Sequence, residues 1–370
     1  MTFSDLDRGY MQRALALAER GCYTTDPNPR VGSLIVRDGV VVGEGWHERA
    51  GEAHAERHAL TRAGEQACGA TCYVTLEPCS HTGRTGPCAD ALIAAGVVRV
   101  VVAMQDPNPL VAGQGLERLR GAGIVVECGL LEDQARALNP GFIKRMETGL
   151  PLVRVKLAMS LDGRTAMASG ESKWITGAGA RHQVQRLRAR SSAIITGIGT
   201  VLADNPALTV RGEDWPDQDY PGPVRQPLRV VLDRRLQMPL DAQLLNAPGE
   251  VLLISQAAPA MMAALRERGV EVLPLPGSGS GSDLRELLRL LAERGCNEVL
   301  VEAGATLAGA FVREQLFDEL VVFMAPTLLG SSARPLLLLP EIATMAEQQR
   351  LELIDVQPVG QDLCLRYRPV

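Results

Sequence analysis

One imidazole, two thiols and a carboxyl are grouped early in this chain, in His54-Ala55-Glu56, Pro78-Cys79 and Pro87-Cys88. Histidine nitrogen and cysteine sulfur are ligands that zinc favours. Three such ligands leave a fourth tetrahedral position for water, whereas a structural zinc site closes all four. Water in that position has its pKa lowered to roughly 7, so hydroxide is available at neutral pH. Glu56 is not needed as a ligand and can carry a proton from that water to a leaving amine. A non-ligand Glu beside a His, followed by a Pro-Cys pair, is the signature of zinc-dependent base deaminases. The pattern predicts one Zn2+ held by His54, Cys79 and Cys88, with Glu56 as the catalytic proton carrier.

These residues need helix ends to hold them. Pro87 suits a first helical turn and would place Cys88 at a helix N-terminus, where the dipole favours a thiolate. His54 likewise opens a helix, His54–Ala63. His54 and His58 share zincin spacing, but a zincin needs Glu directly after the first His, and Ala55 stands there. His58 therefore reads as a packed neighbour. Cys72 falls inside an apolar strand and reads as a small buried hydrophobe, and Cys68 lies just before it. His81, between the two ligand cysteines, is placed to meet substrate rather than metal.

A length of 370 residues predicts two domains, and a hydrophobic share of 46% suffices for two cores. A net charge of −5 gives no electrostatic footprint for nucleic acid or an anionic membrane. Met1–Gly21 reads as an amphipathic helix rather than a signal peptide: Ser4 caps it, Met11, Ala14, Leu15 and Ala18 form its stripe, and Gly21 stops it. No apolar run is long enough to span a membrane. Eight cysteines without a secretory leader argue for metal and buried thiols, hence a cytoplasmic protein.

Glu147–Pro151 is the expected boundary, giving domains 1–148 and 149–370. Before it, strands are expected at Val31–Val36, Val40–Trp46, Thr71–Leu76, Val97–Met104 and Ile124–Glu127, and helices at Cys88–Ala95 and Gly115–Gly121 besides the two above. After it, Leu152–Met159 opens a second α/β series. Ala193–Thr196 is an apolar strand running into Gly197-Ile-Gly199-Thr200, and Glu298–Glu302 runs into Ala303-Gly304-Ala305-Thr306. Each is strand, glycine turn and helix start, suited to holding a pyrophosphate on main-chain N–H groups. Neither is a GxGxxG with a downstream acid, so a Rossmann domain is not indicated. Pro216–Pro227 and Pro276–Asp283 read as surface loops.

The cysteine spacing departs from the usual Cys-x-x-Cys. The string Thr75-Leu-Glu-Pro-Cys-Ser-His-Thr-Gly-Arg-Thr-Gly-Pro-Cys88, with Pro27-Asn28-Pro29-Arg30-Val31-Gly32 upstream, resembles the bifunctional riboflavin-biosynthesis deaminase/reductase family. Leu157–Gly163, Ser172–Thr176 and Gly197–Pro206 resemble its reductase half, which is similar to dihydrofolate reductase in fold. The resemblance implies an α/β protein: an N-terminal cytidine-deaminase-like α/β/α layer domain and a C-terminal dihydrofolate-reductase-like α/β domain. It implies deamination of a diamino-hydroxy-pyrimidine bearing a phosphoribosylamino group, then reduction of the ribosyl to ribityl by NADPH; a homo-oligomer acting on this small molecule, with no nucleic-acid or membrane partner, is expected.

Carried over residue by residue, Ala158, Trp174, Thr200, Asp204 and Gly304, Ala305 and Thr306 would touch NADPH. Ser172, Arg188, Leu208, Arg211 and Glu302 would hold the phosphoribosyl substrate, with Lys156 near the sugar carbon that receives hydride and Gly83-Arg84-Thr85 reaching the ribose phosphate. Arg188 and Arg211 make chemical sense as phosphate forks. Family members often carry a small polar residue after the strand Arg229–Asp233; this chain has Arg234-Arg235, a candidate receptor for the NADPH 2′-phosphate. The other reading is a nucleoside or tRNA base deaminase with an appended nucleotide-binding domain.

Overall fold

The computed structural model describes residues 3–80, 86–109, 111–172, 174–212, 224–256, 262–274 and 282–370. The expectations for His81 and for Gly83-Arg84-Thr85 lie outside the described residues, as do those for 216–223 and 276–281. The chain divides into two compact units, Met1–Gly149 and Leu150–Val370.

The first unit begins with α1 (Asp5–Glu19), set by a reciprocal cap: the Ser4 hydroxyl accepts from Asp7 N at 3.1 Å and the Asp7 carboxylate accepts from Ser4 N at 3.0 Å. Then come β1 (Gly32–Arg37), β2 (Val40–Trp46), α2 (Ala55–Ala63), β3 (Thr71–Val74), α3 (Cys88–Ala94), β4 (Arg99–Val102), α4 (Gln114–Gly121), β5 (Val125–Cys128), α5 (Glu132–Leu138) and α6 (Pro140–Thr148). The sheet order is β2-β1-β3-β4-β5. β1 runs antiparallel to β2 and β3, while β3, β4 and β5 are parallel. Ala59 and Ala63 of α2, Leu92 of α3 and Leu119 of α4 pack on one face. Met11 and Ala14 of α1, Ala135 of α5 and Ile143 of α6 cover the other, giving three layers. α5 and α6 have no counterpart in the sequence reading.

The approach of α2 to the sheet decides where the chemistry sits. A Cβ at Gly43 would lie 2.1 Å from the Ala59 carbonyl oxygen, and one at Gly45 would lie 2.5 Å from that of Ala55. Only glycine lets the helix backbone rest on β2 so closely. That contact fixes the start of α2, where His54 is the N-cap and Glu56 lies in the first turn.

The second unit comprises β6 (Leu152–Ser160), β7 (Arg164–Ala166), α7 (Ala178–Arg190), β8 (Ala193–Gly197), α8 (Ile198–Asp204), β9 (Leu228–Leu232), α9 (Gln243–Asn246), β10 (Val251–Ser255), α10 (Ala263–Glu267), β11 (Glu271–Pro274), α11 (Ser282–Glu293), β12 (Glu298–Glu302), α12 (Ala305–Arg313), β13 (Glu319–Ala325), β14 (Arg334–Pro335), β15 (Leu351–Val359) and β16 (Asp362–Pro369). Since α11 starts at Ser282, the loop expected to run to Asp283 ends sooner: the apolar period of Leu284, Leu287, Leu288 and Leu291 begins there and is buried in the main core. The sheet order is β11-β10-β9-β8-β12-β6-β13-β16-β15. The first seven strands of that order are parallel, and β16 and β15 close it antiparallel. Runs such as Val299-Leu300-Val301, 0–1% exposed, are what a parallel sheet covered on both faces requires.

Two features matter later. Asp362, 4% exposed at the start of β16, accepts from the N-cap amide of α7, Gly177 N, at 2.7 Å. At the opposite end of the parallel block, Arg154 (2% exposed) donates through Nε to Glu319 at 2.9 Å and pairs with Glu298, which also accepts from Arg190 at 3.0 Å. Arg366 reaches Glu319 at 2.9 Å. Among the described residues no helix is long and apolar enough to cross a membrane.

Candidate active sites

In the first unit, His54, Cys79 and Cys88 converge, their ligand atoms all within 4.8 Å of one another. The His54 Nδ1 lies 3.6 Å from the Cys79 sulfur and 3.4 Å from that of Cys88. Tetrahedral zinc, with bonds of about 2.3 Å to sulfur and about 2.1 Å to nitrogen, sets such atoms about 3.6 Å apart. The donor set and its spacing therefore fit zinc. Two of the ligands stand at helix starts: His54 caps α2 and Cys88 opens α3 after Pro87; Cys79 comes from the segment between β3 and α3, its carbonyl accepting from Ala89 N at 3.2 Å. The Cys88 amide donates to the Cys79 sulfur at 3.3 Å. The hydrogen bond from the Cys88 thiol, then those from His54 and the Cys88 amide, holds Cys79 down to about 4 against its burial, and the bond to Cys79 pushes Cys88 upward. The hydrogen bond to Cys79 raises His54.

Glu56 follows His54 on the buried side of α2 and is 3% exposed. Burial pushes its carboxyl up to about 7, against the pull of the His54 charge. A carboxyl with that affinity for protons can both take and return one near neutral pH.

The chain has five histidines, and His47, His54 and His58 fall within one short stretch. His47, which the sequence reading passed over, is 3% exposed and meets the His54 ring edge-on, with centroids 5.4 Å apart. Its Nδ1 lies 3.1 Å from the Ala53 carbonyl, which can only accept, so Nδ1 carries the proton and Nε2 accepts from the Asn28 amide at 3.0 Å. Burial lowers the His47 pKa and keeps it neutral. Asn28 is thus oriented by a ring that packs against that of His54. The clustering of histidines was the available signal. His58 does not join the ligand group. Cys72 is fully buried, pushed up to about 12 by burial, and Cys68 is exposed; neither is a ligand.

In the second unit the carried-over residues gather at the carboxyl edge of the adjacent parallel strands β9, β8, β12 and β6, where open α/β sheets bind ligands. Glu302 ends β12 in register with Lys156 on β6, whose Nζ lies 3.9 Å from its carboxylate. Arg188 of α7 grips Glu302 with Nε at 2.6 Å and Nη2 at 3.0 Å, while its Nη1 donates to the Thr209 carbonyl at 2.9 Å. The expected open fork on Arg188 is therefore turned onto Glu302. Burial raises the Glu302 carboxyl, but Arg188, then Lys156 and Arg211, outweigh it and hold it below the usual carboxylate range. Burial lowers Lys156. Three cations around one carboxylate leave a net positive pocket suited to a phosphate ester.

Ala158 follows Lys156 on the same face of β6. Ser172 Oγ reaches Asp204, the last residue of α8, at 3.5 Å. Trp174 is 70% exposed, with the Arg181 guanidinium 4.8 Å over its ring. Thr200 lies in α8, and Gly304 is the N-cap of α12 with Ala305 and Thr306 in its first turn. A Cβ placed on Gly199 or Gly304 would meet nothing within 4 Å, so the main chain at both turns faces open space, which fits a dinucleotide. The Leu208 side chain is 3% exposed against Ile194 and Leu300, and its φ is 53°, so what it offers a ligand is its main chain. Arg211 donates its main-chain amide to Gln185 at 3.1 Å. Arg234 and Arg235 are exposed in the turn after β9.

Comparison with known proteins finds relatives of both units. Residues 4–104 match the cytidine and deoxycytidylate deaminase zinc-binding region, and residues 151–365 match the RibD C-terminal domain. The riboflavin biosynthesis protein RibD of Escherichia coli K12 is 52% identical, covering 97% of this chain and 98% of its own. That of Haemophilus influenzae is 48% identical over 100% of this chain and 99% of its own. A solved structure of Acinetobacter baumannii RibD superposes with a TM-score of 0.91 at 50% identity, covering 99% of each chain. A Thermotoga maritima structure described as a diaminohydroxyphosphoribosylaminopyrimidine deaminase/5-amino-6-(5-phosphoribosylamino)uracil reductase gives 0.84 at 32% identity, again with 99% of each chain covered. With a deaminase zinc region in the first unit, a RibD reductase domain in the second and near-complete coverage by its relatives, the chain belongs to the RibD family of bifunctional riboflavin-biosynthesis enzymes.

Proposed function

We propose that Met1–Gly149 deaminates the phosphoribosylamino-pyrimidine and that Leu150–Val370 reduces the deaminated product with NADPH, yielding the ribitylamino-uracil phosphate. The observation that carries this is the imidazole and two sulfurs at tetrahedral spacing with the buried Glu56 two residues from the imidazole. Zinc, when bound by His54, Cys79 and Cys88, supplies Lewis acidity. Glu56 takes one proton from the water whose oxygen attacks the ring carbon and gives it to the ring nitrogen; it then carries the proton of the hydroxyl so added to the amino group, which leaves as ammonia while the carbonyl forms. His47 holds the Asn28 amide where it can meet the pyrimidine edge.

In the second unit, NADPH supplies hydride. The N-terminus of α12 offers its N–H groups to the pyrophosphate, and Trp174, Thr200, Asp204 and Ala158 line the path of the nicotinamide half. The Lys156–Arg188–Arg211–Glu302 cluster, with Ser172, receives the phosphoribosyl group. Opening the sugar breaks the bond between its anomeric carbon and ring oxygen. That carbon accepts the hydride, and the ring oxygen must gain a proton. Lys156, made more acidic by burial, is the group placed to give it. The free thiols, all eight cysteines being unpaired, support a reducing, cytoplasmic setting. The exposed edge strand β15, with Leu353 at 50% and Val356 at 47%, supports self-association of the chain.

The test is a coupled assay on the pyrimidine phosphate that follows ammonia release and NADPH oxidation with the zinc-loaded protein. Both are expected, in that order. A zinc-replete protein that releases no ammonia would overturn the reading.

Cofactor choice gives a separate prediction. Arg234 and Arg235 leave β9 at the same sheet edge as the two glycine turns. We assign them to the 2′-phosphate of NADPH. A charge-assisted contact is worth roughly 1.5–3 kcal/mol, about ten- to a hundredfold in affinity. The double Arg234→Ala/Arg235→Ala variant should bind NADPH that much more weakly in a calorimetric titration, with NADH binding nearly unchanged. Equal loss for both cofactors would remove these arginines from the site.

A further inference from the structure

Glu77 lies two residues before the metal-ligand candidate Cys79 and is only 4% exposed, yet it points away from the ligand group and takes no part in it. Its carboxylate is wrapped by main-chain donors from one later segment. Oε2 accepts from Asp106 N at 3.1 Å and Gly113 N at 2.9 Å; Oε1 accepts from Gly115 N at 2.8 Å and Leu116 N at 3.4 Å. Three of those four donors are at or beside the start of α4, which has no cap from its own N-cap residue, Gly113. Glu77 supplies the cap from another part of the fold, where a negative charge also meets the positive end of the helix. Its own amide donates to the Met104 carbonyl at 3.0 Å, at the end of the neighbouring strand.

The backbone is correspondingly close. A Cβ on Gly115 would lie 2.0 Å from the Pro78 carbonyl oxygen and 3.2 Å from the Glu77 side chain. Between Glu77 and Cys79 stands only Pro78, whose ring fixes φ. Cys79 is thus held from both sides: by α3 through its own carbonyl and sulfur, and by α4 through Glu77. A cysteine that must meet a histidine nitrogen and a second sulfur at about 3.6 Å tolerates little drift of its main chain.

We propose that Glu77 is a positioning residue for the metal site, fixing the chain that carries Cys79 by gathering the N–H groups of 106–116. The proposal rests on the zinc reading above. Its reach exceeds packing: an amide at 77 keeps the shape but turns an NH2 toward main-chain N–H donors, so one acceptor and two of the four hydrogen bonds are lost and the segment must move. Changes one step behind a metal ligand typically cost 10- to 100-fold in metal affinity.

The experiment compares the whole wild-type protein with Glu77→Gln. Zinc affinity is read by chelator competition, and the cobalt-substituted proteins are compared by their visible and sulfur-to-cobalt charge-transfer bands. Circular dichroism reports folding. Expected are a folded variant, zinc held 10- to 100-fold more weakly, and shifted cobalt bands. A folded variant with wild-type affinity and unchanged bands overturns the proposal, even if it melts earlier, since that is what a merely structural role predicts. If Glu77→Gln does not fold, Gly115→Ala decides, because its methyl group must displace Pro78: altered cobalt bands support the proposal and unaltered bands overturn it. A wild-type protein that takes up neither zinc nor cobalt overturns both this inference and the zinc reading.

Discussion

Glu56→Gln is expected to abolish ammonia release while leaving zinc content at the wild-type level. The amide keeps the volume of a side chain that is 3% exposed, so the packing of α2 on β2 is retained. It removes a carboxyl that burial already holds near neutrality, at about 7, so no buried charge is left stranded. What is lost is the ability to accept a proton. Positioned acid–base groups contribute about 100- to 10,000-fold, which is about 3–5 kcal/mol of barrier. Cys79→Ser and Cys88→Ser should behave differently, because they change the donor set itself and lower zinc occupancy along with turnover. Elemental analysis beside an ammonia assay separates the two behaviours. Given the already deaminated substrate, Glu56→Gln should still oxidise NADPH, since the Lys156–Glu302 site belongs to the other compact unit. Deamination by Glu56→Gln at the wild-type rate would sink the assignment; failure of a folded variant to reduce the deaminated substrate would sink the division of labour.

Arg154→Met should be the most destabilising of the conservative-sized changes in the second unit. Arg154 is 2% exposed and lies between two carboxylates, Glu298 and Glu319. Removing one member of a buried ion pair typically costs about 3–5 kcal/mol, because the remaining charge keeps its desolvation penalty. Here each carboxylate keeps a second arginine, Arg190 at 3.0 Å and Arg366 at 2.9 Å, which argues for the low end, about 3 kcal/mol. That corresponds to a fall of about 6–12 °C in the melting of a unit of this size. Adding Glu298→Leu should recover part of the loss, as whole buried pairs are often replaceable by apolar groups at little cost. Thermal or denaturant unfolding of the single and double variants measures this. A single variant within about 0.5 kcal/mol of wild type, or a double variant equal to the sum of its parts, would show that the network is not coupled.

The first site was legible because its chemistry is written in types and short spacings. His54, Glu56, Cys79 and Cys88 declare a donor set before any fold is known, and the prolines and helix patterns give their end-of-helix placement. His47 and Glu77 were not legible in the same way. Each acts through a partner distant in sequence: His47 orients Asn28, nineteen positions earlier, and Glu77 caps a helix that begins at Gln114. Side chains whose role is to satisfy someone else's backbone leave no local pattern. In the second unit the strands were visible as apolar runs, but the meaning of Arg188 was not. A sequence shows an arginine able to fork a phosphate, and only the register of β12 against β6 shows that Glu302 already fills that fork. Leu208 offers a ligand something that a sequence does not show. A leucine carried over as a contact is buried, and its left-handed backbone, at φ 53°, is what the segment exposes.

The link between Asp362 and Gly177 has a consequence for how the protein is made. The carboxylate that sets the start of α7, and through α7 the position of Arg188, opens β16, which follows every strand of the parallel block in the chain. During synthesis every strand of the parallel block leaves the ribosome before that carboxylate does, and domains fold largely as they emerge. The sheet can therefore assemble its apolar strands while the clamp on the substrate is still unset. A nonsense codon or proteolytic nick anywhere between β13 and residue 362 would leave most of the core in place and the reductase pocket unformed.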